Sequence, residues 1–139
     1  IDECLRSKPF NPRDVIGESA QVRLICNHIE NEININEIGA CASFWLNRGA
    51  FVCAELKRRN PHLVAYARGH GGDIYPERRG MKNFPLQNYA MKMLDKVLPD
   101  SEAGVDYLCS KYPKMKEKIV VGRLGVDNSE NRSLAHGKP

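Results

Sequence analysis

The sequence predicts an α/β fold, and three observations carry that expectation. Short apolar runs alternate with longer stretches whose apolar residues recur at steps of three and four. After an opening helix the order is strand, helix, strand, helix, strand, helix, strand. The apolar runs are also nearly uncharged, as strands covered on both faces are. Elements alternating in this way join through right-handed crossovers into a parallel sheet. The expected architecture is therefore Rossmann-like, with helices on both faces. Four strands are few for a doubly wound sheet and the chain opens on a helix, so the sheet is expected to be incomplete.

Residues 11–33 read as the first helix. Asn11 is placed to cap it, Pro12 suits its first turn, and Val22, Ile25, Ile29 and Ile33 share one face. Residues 39–45 form the first apolar run, and 48–59 return to a helical pattern. Lys57, Arg58 and Arg59 complement the negative end of that helix, which Pro61 stops. Residues 63–68 are the second strand and lead into a glycine-rich loop. A polar, arginine-rich stretch follows at 75–83. Pro85 opens a helix with Leu86, Tyr89, Met93 and Leu94 on one face. Residues 96–99 are a brief third strand. Ser101 caps a helix carrying Val105, Leu108 and Tyr112, and Pro113 ends it. Residues 118–122 are the fourth strand. The division is one domain over 1–127 and an aperiodic polar linker or tail over 128–139.

Composition narrows the function. With 139 residues and 42% hydrophobic content the chain can bury one core but hardly two. The formal charge is +4, from 21 Lys and Arg against 17 Asp and Glu. Those cations are scattered rather than gathered on one face, so no nucleic-acid partner is expected. No apolar stretch approaches the length of a membrane span, and no basic segment leads into a signal core. The five cysteines are odd in number, widely spaced and without a Cys-x-x-Cys pair. Four of them sit among apolar neighbours, where free thiols fit a reducing compartment. The expected location is cytoplasmic.

In open α/β sheets ligands bind beyond the carboxyl ends of the strands. Three loops qualify: the one through Phe44 and Trp45, the one from Arg68 to Tyr75, and the one at Asp100-Ser101-Glu102. The second carries most. Gly69, Gly71 and Gly72 flank His70 and let backbone amides approach a ligand closely. With Arg68 beside them they suit a phosphate or a sugar oxygen, and a histidine there can donate or accept a hydrogen bond. A tight turn with a solvated histidine explains the same residues. His70 and Asp73 are two metal ligands at most, too few for a site, so no metal is expected. Glu77, Arg78 and Arg79 read as an ion-paired surface, or Arg78 presents its planar fork to a phosphate. Ser101 is a helix cap or an anion site. Trp45, at a strand end, reads as core. No Gly-x-Ser-x-Gly, P-loop or Gly-x-Gly-x-x-Gly is present, so hydrolase, NTPase and dinucleotide functions lack their usual support.

Taken in order, several segments resemble the N-terminal half of a bacterial family 4 glycosyltransferase of the GT-B fold, the kind that builds capsule, exopolysaccharide or lipopolysaccharide. They are Ser43-Phe44-Trp45, Ala67-Arg68-Gly69-His70-Gly71-Gly72-Asp73, Phe84-Pro85-Leu86-Gln87, Asp100-Ser101-Glu102 and Leu124-Gly125-Val126-Asp127. The resemblance runs from about residue 33 to 128. It implies an acceptor-side domain that faces a second, donor-binding domain across a cleft. It places His70, the expected catalytic group, beside the donor sugar, with Asp73 and Arg78 in the same loop region; together with the residues read from the loops themselves, the expected substrate contacts are Arg68, Gly71, Gly72, Asp73, Arg78 and Ser101. It implies a nucleotide-sugar donor, a glycan or lipid-linked acceptor, no separate cofactor, and a position at the inner membrane face. The family's first strand and its donor-binding domain have no counterpart here, so this chain alone is expected to be inactive and prone to self-association through exposed apolar surface. The alternative is a non-catalytic Rossmann-like module that binds a sugar or phosphate, or docks a partner.

Overall fold

Residues 12–125 are described by a computed structural model. They contain three parallel strands, β1 (Ala40–Ser43), β2 (Val64–Gly69) and β3 (Lys96–Pro99), in the order β1-β2-β3. The register pairs Ala42 with Tyr66, and Tyr66 with Lys96. The helices are α1 (Pro12–Glu32), α2 (Arg48–Arg59), α3 (Gly71–Ile74), α4 (Gln87–Met93) and α5 (Glu102–Lys111). Three 3-10 turns join them at Ile35–Glu37, Pro76–Arg79 and Pro113–Lys118. The expected cap Asn11, the residues Val126 and Asp127, and the expected tail 128–139 lie outside the described residues.

The fold class is α/β with a parallel, partly Rossmann-like sheet. α2 is the centre of the core. Every residue from Ala50 to Leu56 is buried, because the helix lies between β1 and β2 on one side and α1 and α4 on the other. Val22 and Cys26 of α1, Ala65 and Ala67 of β2, and Val97 of β3 close around it. The Cys26 thiol is pushed up to about 11 by burial, and Cys26, Cys41, Cys53 and Cys109 are all free. The cations at the end of α2 do more than meet the dipole. Lys57 donates to the Leu63 carbonyl at 2.9 Å and to Asp95 at 2.8 Å, and Arg58 and Arg59 both reach Glu55.

The second helical layer expected on the far face is not found among the described residues. With right-handed crossovers, strands added stepwise place their connecting helices on one side. The strands alternate accordingly. Ala65, Ala67 and Val97 are fully buried, whereas Ala40, Ala42, Val64, Tyr66 and Lys96 on the opposite face are exposed. The near absence of charge in these runs reflects small residues rather than cover on both sides.

Two elements begin or end differently from expectation. The fourth strand is reduced to a single parallel bridge between Ile119 and Val97, because Pro113–Lys118 is wound into a 3-10 turn. The chain still runs beside β3, with Val120 donating to Val97 and Gly122 donating to Pro99. Only glycine fits at 122, since a Cβ there would sit 2.8 Å from that of Leu98. The helix expected to open at Pro85 starts instead at Gln87. Leu86 takes a left-handed conformation (φ 57°), a strained position for a residue with a side chain. The Leu86 carbonyl accepts the Ala90 amide at 2.9 Å, and its side chain packs against the core, which hold the turn in place.

Candidate functional site

The carboxyl ends of β1 and β2 meet at one point, and Asp73 is what joins them. β2 ends at Gly69, and His70 begins the single turn of α3 by accepting the amides of Asp73 and Ile74 at its carbonyl. The Asp73 carboxylate turns inward. One oxygen accepts the His70 amide at 2.6 Å and the other accepts the Leu46 amide at 2.5 Å. Burial pushes the carboxyl above its usual range, and those two amides oppose the shift without cancelling it. Asp73 therefore shapes both loops and holds their spacing.

On the β1 side, Ser43 locks a tight turn. Its hydroxyl donates to the Trp45 carbonyl at 2.7 Å and accepts the Trp45 amide at 3.3 Å. Leu46 then plunges into the core, while Phe44 and Trp45 stay 53% and 47% exposed. Trp45 is thus not a core residue, contrary to the expectation for an aromatic at a strand end. The reason is the Ser43 turn, which faces both rings outward.

The His70 imidazole lies against that pair, 4.3 Å from Trp45 and 5.1 Å from Phe44 between ring centroids. Phe44 and Trp45 meet edge to face at 5.5 Å. Both imidazole nitrogens are shielded from solvent and have no hydrogen-bond partner. Arg68 approaches from the open face of the sheet, its guanidinium 5.8 Å from the Phe44 centroid. One of its terminal nitrogens donates to the Gly122 carbonyl, while Nε is shielded and unpaired.

The arginine-rich stretch is arranged differently from the expected ion-paired surface. Arg78 stacks on Tyr75 at 4.5 Å and Arg79 lies over Phe84 at 5.8 Å. Glu77 accepts instead from the Tyr107 hydroxyl at 2.9 Å, and Tyr107 packs on Tyr75 at 4.6 Å. Gly71 makes room for Arg78, since a Cβ at 71 would collide with a guanidinium nitrogen. Gly72 is exposed, and a Cβ there would only touch Arg79 at 3.6 Å. Ser101 caps α5, its hydroxyl accepting the Gly104 amide at 3.3 Å. The neighbouring Asp100 amide bonds to the Gly69 carbonyl at 3.0 Å, which brings the end of β3 to the end of β2.

Gln87 is a polar residue that sequence reading did not single out as part of the site. It is 1% exposed, donates to the Asp73 carbonyl at 3.1 Å and accepts from Tyr112 at 2.9 Å. A cleft of about 600 Å³ opens on the other side of Asp73, between the starts of α1 and α2 and the segment 79–85. The Arg48–Glu18 ion pair, 2.6 Å, lies along its wall, and the Phe44, Trp45 and His70 cluster does not line it. Among the described residues no group of three or more His, Cys, Asp or Glu is placed to hold a metal ion. No described helix is long and apolar enough to cross a membrane. No protein-family model matches the chain, and no curated protein or solved structure is similar enough to count as a match.

Proposed function

We propose that the chain is the acceptor side of a glycosyltransferase that moves a sugar from a nucleotide-sugar donor to a cell-surface glycan precursor. The observation that carries this reading is the His70 loop. It stands at the carboxyl end of a parallel strand, where α/β sheets bind ligands, with two imidazole nitrogens that no protein group engages. The ordered segments around it, from Ser43-Phe44-Trp45 to Asp100-Ser101-Glu102, resemble those of bacterial family 4 glycosyltransferases. Free thiols support a cytoplasmic site of action, at the inner membrane face when the acceptor is lipid-linked.

The chemistry asks for two kinds of group. Breaking the bond between sugar and diphosphate builds oxocarbenium character on the sugar and negative charge on the leaving group. His70 serves the sugar face as an orienting hydrogen-bond partner, not as a nucleophile. Arg78, stacked on Tyr75 and without a carboxylate partner among the described residues, suits an oxyanion. Asp73 acts through the backbone of both loops rather than by touching substrate.

A second reading, a sugar- or phosphate-binding module without catalysis, draws on the shielding of the His70 nitrogens. One experiment separates the two. The open reading frame that carries this chain is expressed, and its product is incubated with labelled nucleotide sugars and bacterial membranes. Transfer of label to a glycan, lost in His70→Ala, is the expected result. Binding without transfer by the whole gene product would leave the module reading standing.

A further inference from the structure

We propose that Cys41 and Cys53 are an oxidation site, a thiol pair that hydrogen peroxide closes into a disulfide between β1 and α2. The inference is independent of the proposed sugar transfer. Thiols from three elements converge on one stretch of α2. The Cys41 thiol, on β1, donates to the Cys53 carbonyl at 3.8 Å, and the two side chains also hydrogen-bond to each other. The Cys26 thiol, on α1, donates to the Val52 carbonyl at 3.7 Å. Among the described residues no such group is placed to hold a metal ion, which leaves the cluster the chemistry of its own sulfurs.

Close packing brings β1 against α2. A Cβ at Gly49 would collide with the Ser43 hydroxyl, so helix and strand touch there with no room between them. Cys53 follows Gly49 by one helical turn, and Cys41 precedes Ser43 by two residues, on the same face of the strand. The crossover helix runs back along its strand, so the cysteines form the next layer of the same contact. A disulfide needs such an approach, with Cα atoms about 4.4–6.8 Å apart.

The three thiols are unequal. Cys41 is partly exposed on the outer strand of the sheet, within reach of a small oxidant, whereas Cys53 is 6% exposed and Cys26 fully buried. The side-chain hydrogen bond with Cys53 holds the Cys41 thiol below its usual value, with burial opposing and Lys57 assisting. The same bond and then burial push Cys53 up, and burial pushes Cys26 up to about 11. The thiolate is the form that attacks peroxide, so Cys41 reacts first. Its sulfur takes one peroxide oxygen, the O–O bond breaks, and the departing hydroxide takes up a proton as water. The Cys53 sulfur then attacks the Cys41 sulfenic acid. The S–O bond breaks, and the hydroxyl leaves with the Cys53 proton as a second water. Two thiols and one peroxide thus give one disulfide and two waters. An ordinary dithiol reductant reverses the change by exchange.

The 139-residue chain, fully reduced, is treated with hydrogen peroxide, and its remaining thiols are then alkylated in denaturant. Cleavage after both basic and glutamate residues puts Cys26, Cys41 and Cys53 on separate peptides, so mass spectrometry without reduction identifies the partners. The expected result is a monomer that has lost two hydrogens, with the Cys41 peptide joined to the Cys53 peptide and Cys26 alkylated. Dithiothreitol should restore all five thiols. Cys41→Ser should abolish the link and slow the loss of thiols about tenfold or more, and Cys26→Ala should leave the link in place. The mapping itself needs no variant, so one that folds poorly does not obscure the answer. The proposal falls if no thiol is lost, or if Cys41 ends as a sulfinic acid beside a free Cys53. It falls equally if the link runs through Cys4, Cys26 or Cys109, or joins two chains.

Discussion

Asp73 and Leu46 are 27 residues apart, yet the carboxylate of one accepts the backbone amide of the other at 2.5 Å. With the second oxygen on the His70 amide, one side chain fixes the turn after β1 against the turn after β2. A carboxylate can serve two amides in this way, but a carboxamide cannot, because its nitrogen would face an N–H. Asp73→Asn should therefore leave one buried amide unsatisfied and lower stability by about 1–3 kcal/mol. Urea unfolding followed by Trp45 emission measures this. An unchanged midpoint would mean that the two loops hold their spacing without Asp73.

Glu55 makes the core sensitive to acid. Its carboxylate accepts two hydrogen bonds from Arg58, one from Arg59 and one from Tyr89. Arg58 does most to hold its pKa down, from the usual 4.5 to about 2, with burial opposing and Arg59 and Tyr89 assisting. A carboxyl whose folded pKa is depressed stabilises the fold above its unfolded value and loses that contribution as pH falls through the folded one. The shift corresponds to about 3 kcal/mol at most, and solvent around the half-exposed Arg58 reduces it to about 1–2 kcal/mol. The Glu55→Gln chain should be less stable by that amount at neutral pH, and the gap should close between pH 4.5 and 2. A gap that is constant with pH would assign the loss to packing instead.

The parts of the fold that were legible in the sequence are those fixed locally. Pro61 and the flanking basic residues bound α2, and Ser101 with Pro113 frames α5, so both helices can be read from their ends. What escaped reading depends on contacts across the chain. Ala40 and Ala42 look the same whether a helix covers them or not, so composition could not tell that one sheet face is open. Residues 118–122 carry strand-like content and bond to β3 through Val120 and Gly122, but the preceding 3-10 turn leaves a single bridge, at Ile119, and no regular strand. The His70 loop was legible as a turn at a strand end because three glycines flank it. The outward Trp45 was not, since its exposure follows from the Ser43 hydroxyl, and neither was Gln87, whose importance is its bond to the Asp73 carbonyl.

Gly71 and Arg78 should behave as one unit. A methyl group at 71 would collide with the guanidinium, which can swing away because it is the end of a flexible, exposed side chain. Gly71→Ala should thus change stability by less than about 0.5 kcal/mol while moving Arg78 off Tyr75. In the gene product both Gly71→Ala and Arg78→Ala should raise KM more than they lower kcat. A double variant no worse than either single one would confirm that they act together, and additive losses would separate them.

His70→Ala should divide activity from stability. The backbone of His70 carries its structural role, through the amide that bonds to Asp73 and the carbonyl that starts α3, and alanine keeps both. The imidazole makes no hydrogen bond, so its removal forfeits only contact with Phe44 and Trp45. That loss is expected to be about 1 kcal/mol, with a shift of Trp45 emission toward longer wavelength as the ring is uncovered. Sugar transfer by the gene product should fall by about a hundredfold or more, the scale of removing a donor that acts on developing charge. His70→Gln, which restores a hydrogen-bonding group at similar reach, should recover part of the rate. A variant that unfolds while its remaining folded fraction transfers sugar normally would make His70 a packing residue.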